Sequence, residues 1–582
     1  MKTVLSWLKN YKKEAFFAPF FKFVEAAFEL IVPLIIADII DAITLGTGKG
    51  FIVKKGMQLV LLAVLGLIVS ITAQFFAAKA AVGVSGELRR GLFNRIMDMD
   101  ATEVDKAGTS ALITRMTSDI NQVQNGINMT LRLLLRSPII VFGAMIMAFT
   151  VDVRLALVFC VAVPVLALIV IGITKLSIPM YAGVQSLLDN VMLKARENLT
   201  GVRVIRAFNL QDREVSEFRE TNKKLGKFQI GASNFAALTN PVTFIVVNIA
   251  TACLICKGAL RVNLGAISQG DAVAILNYMS QILVELLKLT NLIMIITKSL
   301  ASVERVSAAM EAQTVKASVT LSTEDEISTL TVSDTPDEYI VFDHVCARYQ
   351  SSSHDALSDI DFKVKKGSLV GIIGGTGCGK TTLINLIPAV YRTSEGNVTI
   401  GGKNINDIPV TKIRSIIGVV PQKSVLFKGT VRSNLQIGNK DATDEEMISA
   451  LKAAQCIDFV NEKGGLDAEV LQSGRNFSGG QRQRLCIARA LVRKPEILIL
   501  DDSTSALDFL TEKRIREEIA KLPGTTVFVV SQRASSVMGC DKIIVLDDGI
   551  QAGCGTHEEL LKTCDVYEEI YYSQFERRED AV

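Results

Sequence analysis

Leu369-Val370-Gly371-Ile372-Ile373-Gly374-Gly375-Thr376-Gly377-Cys378-Gly379-Lys380-Thr381 is an apolar strand that runs straight into a glycine-rich turn and a lysine. Its last eight residues match G-x-x-x-x-G-K-[ST], and the strand before and helix-forming residues after supply the context that pattern needs. Glycines let successive backbone N–H groups curl around a β-phosphate. The helix N-terminus adds partial positive charge. Lys380 is placed to reach the β- and γ-phosphates and the Thr381 hydroxyl to ligate Mg²⁺. Gly374, Gly375, Thr376, Gly377, Cys378, Gly379, Lys380, Thr381 and Thr382 are thus the candidate ATP-binding residues. Cys378 reads either as a small tolerated residue or as a thiol activated by the helix terminus. A second apolar run, Leu498-Ile499-Leu500-Asp501, ends in a carboxylate suited to hold Mg²⁺ through water.

Outward from this turn, Tyr339 to the C-terminus has the pattern of an α/β domain. Short apolar strands at Leu369–Ile373, Ile497–Leu500, Thr526–Val530 and Ile543–Leu546 alternate with helical stretches. Upstream, residues 314–338 are rich in Ser, Thr, Asp and Glu and read as a linker. Residues 1–313 are different. They hold six apolar runs, roughly 15–43, 57–82, 132–152, 155–174, 240–262 and 272–297. Each approaches or exceeds the ~20 residues a helix needs to cross a bilayer. Mean hydropathy is +0.34 and 49% of residues are hydrophobic. One such run is compatible with a buried core helix; six point to a membrane domain.

Basic residues crowd the stretches 83–131 and 175–239, which places both on the cytoplasmic side with the two chain ends. Lys49, Lys54 and Lys55 in the 44–56 loop oppose this mildly. The basic start before the first run lacks a small-residue cleavage site and reads as uncleaved. Few breakers occur in 175–239, so the membrane helices are expected to continue far into the cytosol, with turns near Val104–Gly108 and Leu210–Arg213. A net charge of +3 gives no reason to expect nucleic acid. The ten cysteines are scattered. Cys253 and Cys256 form a C-x-x-C in an apolar helix without a second pair, so packing is expected, not a metal.

Ser478-Gly479-Gly480-Gln481-Arg482-Gln483-Arg484 precedes the helical stretch Leu485–Val492. With this motif the chain resembles a half-transporter of the ATP-binding cassette (ABC) superfamily, of exporter type, over nearly its whole length. The resemblance implies a multidomain fold. An all-α domain of six transmembrane helices with long cytoplasmic extensions (1–313) leads through the linker (314–338) to an α/β P-loop cassette (339–582). In that family the signature loop, here Ser478, Gly479, Gly480 and Gln481, meets the γ-phosphate held by the opposite cassette. By the same resemblance Tyr349, 25 residues before Gly374, stacks on adenine. Gln422 senses Mg²⁺, so the metal set is Thr381, Gln422 and Asp501, the last through water. Ser505-Ala506-Leu507-Asp508 crosses between cassettes, and Gly108–Asp119 and Glu197–Phe218 are coupling loops.

Two positions depart from the family pattern. The residue after Asp501 is Asp502, where the family carries a catalytic glutamate. Val529-Val530-Ser531-Gln532-Arg533 has Gln532 in the place of the switch histidine; the only histidines are His344, His354 and His557. Aspartate is shorter by one methylene, roughly 1.5 Å, and glutamine cannot become cationic. Asp502 and Gln532 are therefore candidate catalytic positions of a degenerate site. The signature departs only at Phe477, in a usual Leu position. The chain thus resembles the degenerate-site subunit of heterodimeric bacterial multidrug exporters. The resemblance implies ATP and Mg²⁺ as cofactors, a second half-transporter as partner, a lipid bilayer, and an amphiphilic or peptide substrate moved out of the cytoplasm by alternating access across the cell membrane. A homodimer with two slow sites is the alternative, and a sensory or ATP-gated complex a third reading. The six runs exclude a soluble DNA-repair or translation ATPase, and a peptide exporter with its own protease is disfavoured because no extra domain precedes the first run. Lys22, Glu25 and Glu29 in the first run and Glu285 and Lys288 in the last are read two ways: a polar surface for a cationic amphiphile, or internal pairing.

Overall fold

A computed structural model describes residues 7–46, 48–312, 338–349, 354–503 and 507–575. Nearly all of the expected linker, and Ser505-Ala506 of the expected crossing loop, lie outside the described residues. The chain divides into two compact units: Met1–Asn94 with Ser110–Glu311, and Arg95–Thr109 with Ala312–Val582.

The first unit is helical. Its long elements are α1 (Lys12–Thr44) and α2 (Lys49–Asp98). The short α3 (Ala101–Ala107) follows and belongs to the second unit. Then come α4 (Ile120–Leu133), α5 (Arg136–Val151), α6 (Val153–Thr200), α7 (Gln211–Ala237), α8 (Thr239–Asn263) and α9 (Gln269–Glu311). At 50 residues α2 is about 75 Å long, more than twice the ~30 Å of a bilayer's hydrocarbon. The expected extensions beyond the membrane therefore follow from length alone.

Among the described residues, five helical segments are long and apolar enough to span a membrane: Lys49–Asp98, Thr109–Val151, Val153–Thr200, Gln211–Asn263 and Gln269–Glu311. The sixth expected span, α1, has the length and the apolar residues but is broken by charges. Lys22, Glu25, Glu29, Asp38 and Asp41 interrupt it, and its charges are paired within the unit: Lys22 with Glu25 at 2.5 Å, Glu29 with Arg136 at 2.7 Å.

α9 is the hub of this unit. Its Ala274, Ile275, Tyr278, Met279 and Ile282 are buried against α1, α5, α6 and α8. Small residues at the contacts, Ala144, Ala148, Ala156 and Ala250, let the helices approach closely, which is how packing holds helices together where lipid offers no hydrophobic drive. Outward-facing side chains such as Leu67, Ile68, Ile71, Val161 and Leu168 are exposed and apolar, the pattern a hydrocarbon surround requires.

The turn expected near Val104–Gly108 is the helix α3, closed by Gly108 at φ 73°. Gly108–Asp119 is not a loop but helical from Thr109, with one widened turn at Arg115–Asp119. Asp119 of that turn pairs with Ser302 at 3.0 Å and with Arg305. The second break falls at Phe208–Leu210, with Asn209 left-handed at φ 55°.

The second unit contains β1 (Ile340–Ala347), β2 (Leu357–Val364), β3 (Leu369–Gly374), β4 (Glu395–Ile400), β5 (Lys403–Asn404), β6 (Ile417–Val420), β7 (Gly429–Thr430), β8 (Glu469–Val470), β9 (Ile497–Asp501), β10 (Thr526–Val530), β11 (Lys542–Asp547) and β12 (Ile550–Gly555). Ten of them form one sheet in the order β5-β4-β1-β2-β12-β11-β3-β10-β9-β6, and β7 and β8 pair as a separate ribbon. The run β11-β3-β10-β9-β6 is parallel and carries the nucleotide motifs; β1, β2, β4 and β5 are antiparallel. Both faces of the parallel part are covered. Ile497 and Ile499 face one core with Leu383 and Ile384, while Leu498 and Leu500 face another with Leu485 and Ile487. That is why β9 and β10 read as unbroken apolar runs without alternation.

Candidate functional site

β3, β10, β9 and β6 are adjacent parallel strands, and the chain leaves their carboxyl ends at Gly374, Ser531, Asp501 and Pro421. Open α/β sheets place ligands at that edge. Sequence-distant motifs thereby converge: the turn 374–379, the segment 531–533, Asp501-Asp502 and Gln422.

The turn after β3 leaves no room for a side chain at two points. Gly374 has φ 157°, and a Cβ there would lie 2.2 Å from the Leu546 carbonyl oxygen. Gly379 has φ 95°, and a Cβ would meet Ala356 O at 2.8 Å and Leu357 Cδ2 at 2.7 Å. Gly375 and Gly377 face open space. Helix α10 (Lys380–Leu386) begins at once. The Lys380 ammonium donates to the carbonyls of Gly374 at 2.8 Å and Gly375 at 2.5 Å, so the cation lies on the loop itself. Cys378 is buried beneath, its Sγ 3.6 Å from Lys380 Nζ. A side chain in that position packs the loop from below.

Thr381 Oγ1 donates to both oxygens of Asp501, each at 3.2 Å. Burial pushes the Asp501 carboxyl above the usual carboxylate range, with Asp502's charge adding and Thr381 and Lys380 opposing. Burial also raises Asp502, against a hydrogen bond from Gln422 and the charge of Lys380. Thr381, Gln422, Asp501 and Asp502 thus share one corner. Its donors are all oxygen, a hydroxyl, an amide and carboxylates, the chemistry a hard cation such as Mg²⁺ selects. A proton on Asp501 competes with such a cation. We expect Mg²⁺-dependent ATP binding by the full chain to fall with decreasing pH while the pH is still above the ordinary Asp pKa of ~3.9, because the raised carboxyl takes up its proton earlier than a free aspartate. Asp501→Asn removes both the pH step and most of the Mg²⁺ dependence, which titrations of ATP binding with and without Mg²⁺ check.

Asp502 is left-handed at φ 44°, a conformation short polar residues adopt with least strain. Its N–H donates to Val530 O at 3.1 Å and its carbonyl accepts from Gln483 Nε2 at 3.3 Å. Gln532 is exposed, and its carbonyl accepts from Gln574 Nε2 at 2.9 Å. The segment is anchored from beneath by a residue the sequence reading passed over. Glu512, 2% exposed, accepts from Ser536 Oγ at 2.5 Å and lies 3.5 Å from Arg533. Glu512→Ala should lower the stability of the unit by about 1–3 kcal/mol, since it leaves a buried hydroxyl unpaired. Glu512→Gln, which keeps an acceptor, should cost less. The thermal midpoints of the full-length variants measure the difference.

Tyr349 meets Tyr391 edge-on, ring centroids 5.2 Å apart, and its hydroxyl is 2.9 Å from Thr382 Oγ1. Both rings line a cavity of about 190 Å³ with Asp100, Thr102 and Arg348. Tyr391 donates to Asp105 of α3 at 2.7 Å, and burial together with Asp105 pushes its hydroxyl pKa well up. The contact belongs within the second unit. Tyr391 carries no motif, so nothing local in the sequence points to it.

Ser478 caps helix α11 (Gly479–Val492) in a reciprocal box: its hydroxyl accepts from Gln481 N at 3.3 Å and its N–H donates to Gln481 Oε1 at 3.0 Å. Phe477 is buried, edge-on to Phe459 at 6.2 Å, with Lys463 over its ring. A core environment accepts an aromatic where leucine is usual. α11 packs on the sheet face opposite to α10, as the separate cores of Leu485 and Leu383 show. Gly479, Gly480 and the phosphate loop are therefore not brought onto one face of the sheet.

An α/β unit with this phosphate loop, preceded in the same chain by a bundle of membrane-length helices, defines half of a membrane transporter that hydrolyses ATP. Residues 15–286 match the profile of the ABC transporter transmembrane region, and residues 357–505 that of the ABC transporter cassette. The chain belongs to the ABC transporter family and has the architecture of an exporter half-transporter. It is 36% identical to an uncharacterized ABC transporter ATP-binding protein, YfiB, of Bacillus subtilis, over 99% of each chain. It is 29% identical, again over 99% of each, to a second B. subtilis protein, YgaD, provisionally named a multidrug export ATP-binding/permease protein. It shares its fold with a bacterial Atm1-family ABC exporter solved with ATP bound: TM-score 0.79, 24% identity, 98% of this chain and 99% of that one.

Proposed function

We propose that the chain is the degenerate-site subunit of a heterodimeric exporter that moves amphiphilic or peptide substrates out of the cytoplasm. One observation carries this reading: Asp502, one methylene short of glutamate, shares the Thr381–Asp501–Gln422 corner, while the next strand end bears exposed Gln532 in place of a histidine. The opposite-face placement of Ser478–Gln481 supports it, because such a loop completes a site on another cassette.

In this reading Tyr349 stacks on adenine, the turn 374–379 and Lys380 hold the phosphates, and Thr381, Gln422 and Asp501 hold Mg²⁺, which when bound neutralises phosphate charge. Ser478, Gly479, Gly480 and Gln481 close on the partner's nucleotide. Asp502 orients water poorly, since misplacement by about 1 Å costs on the order of 100-fold in rate. Both termini and the cassette face the cytoplasm, in keeping with the positive-inside rule. The name of the multidrug relative supports an amphiphilic substrate.

Purified alone, the full chain should bind ATP but turn over slowly; copurified with the half-transporter encoded beside it, it should turn over at a normal rate. Robust turnover by this chain alone would overturn the heterodimer and favour a homodimer.

A further inference from the structure

The membrane unit holds a balanced chain of ion pairs. Both carboxylate oxygens of Glu29 of α1 accept from one nitrogen, Nη2, of Arg136 of α5, each at 2.7 Å. Arg136 also bonds Glu285 of α9 at 3.0 Å, and Glu285 bonds Lys288 at 2.7 Å. Ser137 adds a bond to Glu285 at 2.9 Å. Lys22 and Glu25 form a neighbouring pair. Three cations face three anions, so the cluster is neutral, as an apolar surround demands.

The members differ in exposure. The side chains of Arg136 and Glu285 are 10% and 4% exposed; those of Glu29 and Lys288, the two ends of the chain, are 42% and 41% exposed. Both ends line a cavity of about 490 Å³, a size that suits a small ligand. α9 lines it with the polar Asn277, Ser280 and Gln281, and α1 and α5 contribute an apolar wall of Val32, Ile36 and Ile140. Two buried polar atoms at the cavity, Arg136 Nε and Gln281 Oε1, have no hydrogen-bond partner among the described residues. The Arg136 residue is only 8% exposed.

A ligand with one net charge would pair with one end of this chain and leave the cluster with one net charge. A net charge beside the buried Arg136 and Glu285 is costly. A ligand carrying both signs satisfies Glu29 and Lys288 together and keeps the cluster neutral. We propose that this cavity binds zwitterionic amphiphiles, with Glu29 receiving the ammonium group, Lys288 the anionic group and the Val32–Ile36–Ile140 wall the tail. This selects one substrate class within the exporter reading and rests on that reading only for what happens to the ligand after binding.

The test uses the full chain in lipid nanodiscs, without ATP, titrated below micellar concentrations with three probes of one tail length: dodecylphosphocholine, dodecyltrimethylammonium and dodecyl phosphate. Empty nanodiscs give the partition background. Dodecylphosphocholine should bind at least about tenfold tighter than either singly charged probe, the worth of one additional charge-assisted bond. Glu29→Gln should weaken the zwitterion and the cation by about tenfold and spare the anion. Lys288→Gln should weaken the zwitterion and the anion and spare the cation. Equal binding of the three probes, or variants that weaken all three alike, overturns the proposal. A monodisperse elution profile and a cooperative thermal transition of the nanodisc-held chain certify each variant as folded; should Glu29→Gln fail there, Lys288→Gln, at a half-exposed side chain, decides alone. Binding of dodecylphosphocholine without ATP-driven movement in proteoliposomes would count against the exporter reading and leave the site standing.

Discussion

The double substitution Asp502→Glu with Gln532→His raises ATP turnover by this chain on the order of 100-fold, the cost that a misplacement of about 1 Å imposes. The longer carboxylate recovers the missing methylene at the end of β9, and the imidazole supplies a side chain able to carry positive charge. Each substitution alone gains less, because water and γ-phosphate must be addressed together. A stability cost accompanies the gain. Residue 502 is left-handed at φ 44°, and glutamate bears that conformation less well than aspartate, by about 1 kcal/mol. Steady-state ATPase rates of the full-length single and double variants, with their melting temperatures, test both halves. Unchanged turnover in the double variant would sink the degenerate-site reading.

Lys380→Ala weakens ATP binding by this chain at least about 100-fold, since a cation that contacts two phosphates contributes two charge-assisted bonds. The loop should keep its shape: its tight points are Gly374 and Gly379, while Lys380 adds only bonds to the carbonyls of Gly374 and Gly375. The helix start at Ser478 lies over the other sheet core and is untouched. In a complex with a competent partner the variant therefore loses one nucleotide and retains turnover at the partner's site. Nucleotide stoichiometry and turnover, measured on the same preparation, separate the two effects. Loss of all turnover would show that the sites do not divide the work.

The phosphate loop, the apolar strands and five of the membrane-length helices were legible because each is local. A glycine spacing, an apolar run or a cap such as Ser478–Gln481 is written within a few residues, and backbone sterics or transfer out of water act on it directly. The first helix was harder. Its charges spoil its composition, and how Glu29 is tolerated is explained by Arg136, 107 residues away. The antiparallel strands β1, β2, β4 and β5 were not singled out, being short and without a chemical motif. The two turns expected in the long extensions fell close to real breaks, but α3 is a helix and Arg115–Asp119 a widened turn, which local composition does not announce.

From residue order alone came the two kinds of domain, the phosphate-binding turn with Lys380, and the pair of departures at Asp502 and Gln532. Folding alone joined Tyr391 to Asp105, 286 residues away, set Glu512 beneath the segment that carries Gln532, and linked Glu29, Arg136, Glu285 and Lys288 into one neutral cluster. A motif is a property of neighbouring backbone. A charge balance or a buried tether is a property of side chains from distant helices and strands, and exists only once packing has excluded water between them.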